Sequence, residues 1–192
     1  MATLKGLYFL SPDFTLKRVE GPDAISERIG DIHVYENGLD YIVATYGFGV
    51  LRKKGDEWKQ VSTKEGLTSD IANKIWSQHS DTLWVATNRG INRITLTDGL
   101  EVKPLMKTHG IASEDVRDVL VKANKLYAAT SEGLSVVNLT QWEKRNGEPS
   151  INFREFRVDG IPNLNDSPQL AYNIRGIDIE FDGVHFSSAE RL

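Results

Sequence analysis

An all-β fold is predicted for this 192-residue chain by three observations. First, a short pattern recurs four times: Ala-Thr, two or three residues, then Gly and an apolar residue. It stands at Ala2-Thr3-Leu4-Lys5-Gly6-Leu7, Ala44-Thr45-Tyr46-Gly47-Phe48-Gly49-Val50, Ala86-Thr87-Asn88-Arg89-Gly90-Ile91 and Ala129-Thr130-Ser131-Glu132-Gly133-Leu134. Second, its threonines fall at 3, 45, 87 and 130, so the steps are 42, 42 and 43 residues. Third, each copy is flanked by short runs of β-forming residues parted by turn formers. A period of about 40–45 residues built from short strands is that of a β-propeller blade. The expected architecture is a partial β-propeller of about three and a half four-stranded blades, followed by an incomplete β-sandwich segment.

Before each threonine of the later copies runs an apolar stretch: Tyr41-Ile42-Val43-Ala44, Leu83-Trp84-Val85-Ala86 and Leu126-Tyr127-Ala128-Ala129. Such runs suit strands buried on both faces. Turn formers precede them: Asn37-Gly38, His79-Ser80-Asp81 and Ala123-Asn124. An Asn-Gly pair between apolar runs is a strong hairpin signal. Further upstream, Ile29-Gly30-Asp31-Ile32-His33-Val34, Ile71-Ala72-Asn73-Lys74-Ile75-Trp76 and Val116-Arg117-Asp118-Val119-Leu120 are the expected innermost strands. Segments 69–76 and 113–120 also look like capped helix starts, but their register with the alternating 29–34 segment argues for strands. After the glycine come Leu7-Tyr8-Phe9-Leu10, Val50-Leu51, Ile91-Asn92-Arg93-Ile94 and Leu134-Ser135-Val136-Val137. A more polar fourth segment follows at 15–19, 58–61 and 101–105. The glycine supplies a backbone angle or a close approach, the alanine permits tight packing, and the threonine hydroxyl can bond the turn backbone. Trp76, Trp84 and Tyr127 are expected to pack between blades.

The blades are thus expected at 1–20 in part, then at about 29–62, 71–107 and 116–140, within a propeller spanning 1–145. Gln141 to Ser150 is polar and resembles a linker. In 146–192, Ile151-Asn152-Phe153-Arg154-Glu155-Phe156-Arg157-Val158 alternates at period two and ends at Asp159-Gly160. A loop with Pro162 and Pro168 follows, then Ile177-Asp178-Ile179-Glu180-Phe181-Asp182 alternates, and Asp182-Gly183 is expected to turn the chain. This piece is too short to close a sandwich core alone. The chain also opens inside a repeat, which leads us to expect a segment of a longer protein.

Composition narrows the functional classes. Forty per cent hydrophobic and 26% charged residues are ordinary for a globular protein. A net charge of −4 argues against nucleic-acid or anionic-membrane partners, which need a basic footprint. Without cysteine there is no disulfide and no thiolate metal site. No apolar stretch is long enough to span a bilayer, and Met1-Ala2-Thr3 does not open a signal peptide. His33, His79, His109 and His185 are scattered, so no metal site is expected. No phosphate-binding loop or nucleophile elbow appears, so no cofactor and no catalytic residue is assigned. Asp178, Glu180 and Asp182 share a strand face; they could form a cation site or acid/base pair, but a solvated face opposite Ile177, Ile179 and Phe181 explains them. Asn138-Leu139-Thr140 and Asn165-Asp166-Ser167 match the glycosylation sequon, a triplet common by chance.

Leu83-Trp84-Val85-Ala86-Thr87-Asn88-Arg89-Gly90-Ile91-Asn92-Arg93 closely resembles the two-component regulator propeller repeat, and Gly66-Leu67-Thr68-Ser69-Asp70 resembles its inter-blade segment. Phe156-Arg157-Val158-Asp159-Gly160, Leu170-Ala171-Tyr172-Asn173 and Ile177-Asp178-Ile179-Glu180-Phe181 resemble the opening of the Y_Y_Y immunoglobulin-like domain that follows such propellers. The two resemblances together cover nearly the whole chain. They imply the periplasmic sensor region of hybrid two-component systems and related transmembrane regulators, many of which respond to glycans. The sequence departs from that pattern by stopping at Leu192 and by carrying only three full repeats and part of a fourth. It contains no kinase residues, so this chain is not expected to be an enzyme.

In a propeller the turns after the second strand gather on one face around the central channel. The candidate ligand-binding residues are therefore Tyr46, Phe48, Asn88, Arg89, Ser131 and Glu132, whose aromatic, amide and charged groups suit an oligosaccharide or a protein partner. Binding would signal by shifting two sensor subunits, with any membrane attachment outside this segment. A protein-binding scaffold is the alternative. A polysaccharide hydrolase or lyase is disfavoured, because no acid/base constellation recurs on the turns. Open blade edges and faces lead us to expect self-association.

Overall fold

The computed structural model describes residues 1–79, 81–96, 99–145, 150–162 and 172–184. They fold as successive antiparallel sheets with one short α-helix, so the all-β class is the observed one. Two compact units are present, Met1–Trp142 and Glu143–Leu192.

The first unit contains four meanders in chain order. Strands β1 (Ala2–Thr3), β2 (Gly6–Leu10) and β3 (Leu16–Arg18) form the first sheet. The second holds β4 (Ile29–Val34), β5 (Tyr41–Thr45), β6 (Val50–Lys54) and β7 (Glu57–Val61). The third holds β8 (Ala72–His79), β9 (Thr82–Thr87), β10 (Gly90–Thr95) and β11 (Glu101–Leu105), and the fourth holds β12 (Val116–Lys122), β13 (Lys125–Thr130) and β14 (Gly133–Asn138). Each strand pairs only with its neighbours in sequence, as in a propeller blade. The segments at 69–76 and 113–120 that could have begun helices enter strands β8 and β12. Pro104 lies in β11, the last strand of its sheet, where a missing N–H is tolerated.

Three cores lie between consecutive sheets, and alternation along the second strands builds them. On β5, Val43 joins Leu7, Ile25 and Leu51 toward the first sheet. Ile42 and Ala44 instead join Ile75, Leu83 and Val85 toward the third. On β9, Val85 serves that core, while Trp84 and Ala86 join Leu126, Ala128 and Val119 of the fourth sheet. A strand covered on both faces is apolar throughout, which is why these runs do not alternate in sequence. Trp76 packs against the same core as Trp84. Tyr127 does not join it; it is half-buried and alternates to the face of β13 opposite Leu126 and Ala128.

The segment after β14 corrects the sequence reading. Gln141 onward was expected to be a polar linker, but Leu139–Arg145 forms helix α1. Asn138 Oδ1 accepts from Gln141 N–H at 3.2 Å, which caps the helix. Leu139 and Trp142, three residues apart on one helix face, are buried in the third core. The Trp142 ring lies 5.4 Å from that of Trp84, and Arg93 lies over it at 5.0 Å. A helix thus follows the third strand where the preceding two sheets have a fourth strand.

Turn chemistry follows the residues. Ala123 and Asn124 take φ of 48° and 60° in the two-residue turn between β12 and β13. In the second unit, β15 (Ser150–Val158) pairs with β16 (Ile161–Pro162) through Asp159 and Gly160, at φ of 51° and 79°. Both turns have the positive φ pair of a type I′ hairpin. Strand β15 also pairs with β17 (Ile177–Val184). The turn expected at Asp182-Gly183 is not formed: those residues pair with Asn152 and Ile151, because the nine-residue β15 carries the ladder past them. Pieces of the resemblance at 170–171, the loop with Pro168 and the sequon at 165–167 lie outside the described residues.

Candidate functional site

The four Ala-Thr copies build one turn four times. Each threonine hydroxyl donates across the turn: Thr3 to Gly6 O (2.6 Å), Thr45 to Gly49 O (2.8 Å), Thr87 to Gly90 O (2.9 Å) and Thr130 to Gly133 O (2.8 Å). Each also accepts a backbone N–H, from Lys5, Phe48, Arg89 and Glu132 respectively, at 3.1 to 3.2 Å. Gly6, Gly90 and Gly133 have φ between +103° and +113°, which disfavours a side chain there. The pattern legible in the sequence is therefore a turn lock that positions the residues between Thr and Gly.

Backbone bonds then set these turns along one edge of the stacked sheets. Tyr46, Asn88 and Ser131 donate their N–H groups to the carbonyls of Arg28 (2.9 Å), Ile71 (3.4 Å) and Asp115 (2.9 Å). Those carbonyls sit one residue before β4, β8 and β12. Gly47 and Gly49 donate to Asp70 O at 2.9 and 2.8 Å, and Gly90 donates to Glu114 O at 2.6 Å, so the turns of the second and third sheets are also tied to the segments entering the next. Side chains tie each entering segment to the turn of its own sheet, with Thr68 Oγ1 3.0 Å from Thr87 Oγ1 in the third and Ser113 Oγ 2.8 Å from Ser131 Oγ in the fourth.

The innermost strands share a β-bulge beside these turns. The ladder skips Gly30 in β4, Asn73 in β8 and Arg117 in β12. Bulges re-aim side chains at such edges. At Gly30 a Cβ would lie 2.4 Å from Ala72 O and 3.1 Å from the Tyr46 ring, so the ring position depends on that glycine. The Arg28 guanidinium covers the same ring at 3.9 Å. Asn73 Nδ2 reaches Val116 O at 2.7 Å, and Asp31 Oδ2 accepts from Ile75 N–H at 3.0 Å while pairing with Lys74 at 3.3 Å. These bonds join β4 to β8 and β8 to β12.

The six expected residues fall at this edge in different states. Tyr46 is half-buried under Arg28, and Phe48 is 38% exposed. Arg89 is exposed. Glu132 is exposed with Lys107 Nζ 4.0 Å away, and Ser131 is bonded to Ser113. Asn88 Oδ1 is buried without a hydrogen-bond partner. Asp115, not singled out from sequence, has the same property: its Oδ2 pairs with Arg117 at 2.6 Å while Oδ1 is buried and unpartnered. These two bare acceptors single out the edge as the candidate site, since an unmet buried acceptor costs about 1–3 kcal/mol. Arg28, Asn73 and Arg117 were missed as well. Their signal was weak: the bulge column holds Gly, Asn and Arg, which share no chemistry.

Other sequence candidates resolve differently. Asp178 and Glu180 lie on β17 beside β15, where Arg157 pairs with Glu155. That Glu155 bond, then the neighbouring carboxylates, raises the Arg157 guanidinium above its ordinary pKa. Arg154 adds a 3.9 Å contact to Glu180, so the visible face is an ion-pair lattice. The side chain of Asp182 lies outside the described residues. Ile177, Ile179 and Phe181 on the other face are 45%, 55% and 61% exposed. His109 Nδ1 accepts from Met106 N–H at 2.9 Å in a link between sheets, whereas the His79 side chain and His185 lie outside the described residues. Among the described residues no three His, Cys, Asp or Glu groups converge as a metal site.

No family model and no curated protein matches the chain. Solved structures do. The extracellular domain assigned to a hybrid two-component system of B. thetaiotaomicron superposes with a TM-score of 0.63 at 18% identity, covering 91% of this chain and 24% of that one. A second extracellular domain from the same organism appears in two structures, described once as a one-component and once as a hybrid two-component system. They give TM-scores of 0.57 and 0.53 at 14% and 13% identity, covering 73% and 84% of this chain and 22% of each of theirs. The likeness is one of fold, and the chain spans about a quarter of the length of these structures.

Proposed function

We propose that this chain is part of the periplasmic ligand-sensing region of a transmembrane regulator. A saccharide would bind at the turn edge, and the signal would pass by rearrangement of two subunits. The observation that carries this reading is the pair of buried, unpartnered acceptors, Asn88 Oδ1 and Asp115 Oδ1, on the same edge of the stacked sheets as the turn that holds Tyr46 and Phe48. Sugar hydroxyls are donors, and aromatic faces accept sugar C–H surfaces, so the two features suit one ligand. The fold likeness to extracellular domains of bacterial regulators supports the location and the role. Propeller repeats and a Y_Y_Y-like tail remain the sequence resemblance that first suggested both. The action proposed is binding without bond cleavage, because the edge offers no paired acid and base.

A glycan array followed by calorimetry tests the site. Binding of an oligosaccharide by the wild-type chain should weaken about tenfold or more in Asn88→Ala and Asp115→Ala, since each removes an acceptor for a buried donor. Saccharide affinity unchanged in both variants would sink the turn-edge assignment. In a full-length regulator, deletion of the sheets that leaves signalling ligand-responsive would sink the sensing role.

The alternative, a protein-interaction scaffold, is favoured by one observation. The fourth sheet carries Leu120, Leu134 and Val136 at 48%, 69% and 51% exposure. The register places Leu120 and Val136 opposite Tyr127, and Leu134 opposite Ala129. We propose that this face associates with a second copy of the chain.

A further inference from the structure

A groove of about 710 Å³ opens at the other ends of the strands, where β4 runs into its hairpin with β5. It is lined by His33, Tyr35, Asp40, Arg52, Lys54 and Asp81, among others. The site is independent of the turn-edge reading.

Its central group is Arg52, on β6. Arg52 Nε is buried and lacks a hydrogen-bond partner. The guanidinium lies 5.8 Å from the centre of the Tyr35 ring, and that ring meets His33 edge-on at 5.3 Å. The nearby Asp40 is already engaged: its Oδ1 accepts from Gly55 N–H at 2.8 Å and its Oδ2 from Asn37 Nδ2 at 2.9 Å. Those bonds hold the Asp40 carboxyl below its ordinary pKa, the Gly55 bond most of all. Asp40 therefore stays ionised without capping Arg52 Nε.

The guanidinium of Arg52, which lines the groove, carries paired N–H donors that match a planar two-oxygen acceptor, the geometry of a carboxylate. The surrounding charge sets the valence. Asp40, Asp81 and Glu36 line the groove with Arg52 and Lys54, so three carboxylates face two cations. A dianion such as phosphate or sulfate would meet about twice the repulsion that a monoanion meets. Lys54 offers donors at the rim, and Asp81 and Glu36 offer acceptors for hydroxyl groups. A volume of this size falls within the range of small-ligand sites, about 300–1,000 Å³.

We infer that this groove binds a small hydroxylated monocarboxylate of the sugar-acid class, its carboxylate on the Arg52 guanidinium and its hydroxyls on the acidic rim. The test is calorimetric titration of the whole chain with glucuronate, alongside glucose, acetate and sulfate. The expected result is saturable glucuronate binding that exceeds that of each other probe by about tenfold or more. It should fall by at least about tenfold in Arg52→Ala and also in Arg52→Lys, which keeps the charge and loses the fork. Lys17→Ala, on exposed β3, should bind glucuronate as the wild type does. Circular dichroism establishes that each variant is folded, and Arg52→Lys decides if Arg52→Ala is not. No saturation with the folded wild type, unchanged affinity in Arg52→Lys, or glucose, acetate or sulfate bound as tightly as glucuronate would overturn the inference.

Discussion

Strands β9 and β13 hold the same place in successive sheets and carry nearly the same residues, Leu83-Trp84-Val85-Ala86-Thr87 against Leu126-Tyr127-Ala128-Ala129-Thr130. In β9 all five are buried. In β13 only Leu126 and Ala128 are, and Ala129 is exposed. Both strands have β14-like and β12-like partners in their own sheets, so the difference does not come from hydrogen bonding. It comes from what covers each face. Strand β9 has a core on either side, and β13 has the Trp84 core on one side only. In a stack of repeats the burial of a residue is a property of its neighbours as much as of its own strand.

The largest way to break this contrast is to truncate the equivalent aromatic in each strand. Trp84 is 3% exposed and packs on Trp142, so Trp84→Ala should destabilise the first unit by about 4 kcal/mol in chemical denaturation. Tyr127→Ala, at the half-covered face, should cost only about 1 kcal/mol. Equal losses would mean that the two faces are covered alike in solution and that the contrast is not real.

The same contrast explains how much of the molecule was legible beforehand. The Ala-Thr-Gly turn was visible because one mechanism, a hydroxyl bridging to a left-handed glycine, needs the same residue types each time. The inner bulges were not, because a backbone irregularity tolerates Gly30, Asn73 or Arg117 equally. Trp142 was hidden among Gln141, Glu143 and Lys144, where three polar neighbours outweighed one large apolar residue. Burying it needs a partner 58 positions earlier, Trp84, and local patterning carries no such information. At the candidate site, turn position was the signal that singled out Asn88. Asp115 escaped notice because its role rests on one oxygen being paired by Arg117 and the other not, a fact of geometry alone.

A second prediction concerns the uncovered face itself. Leu134→Lys places a charge on it. If a second copy covers this face, the wild-type chain should show a concentration-dependent dimer by sedimentation velocity, and Leu134→Lys should be monomeric. Its unfolding free energy should change by less than about 0.5 kcal/mol, as for a surface position. A wild-type chain that stays monomeric at high concentration would leave the face to a different partner and remove self-association from the account.

The smallest effect lies in the links between sheets, where the comparison can be sharpened by pH. The link after β7 closes with a carboxylate: Glu65 accepts from the Ser62 hydroxyl and from Ser62 N–H, both at 2.7 Å. The link after β11 uses His109 on Met106 N–H in the same position. The Ser62 side chain, then its backbone N–H, lowers the Glu65 pKa below its ordinary value. A carboxyl depressed in the folded state stabilises fully above its unfolded pKa, and that stabilisation is lost as pH falls through the folded one. The melting temperature of the first unit should therefore carry a Glu65 contribution at neutral pH that fades in the acid range, below about pH 4. Glu65→Gln should lower the melting temperature at neutral pH and flatten its acid dependence, because a neutral amide can still accept these bonds but no longer titrates. An acid profile identical in wild type and Glu65→Gln would show that the carboxylate link does not differ energetically from its imidazole counterpart.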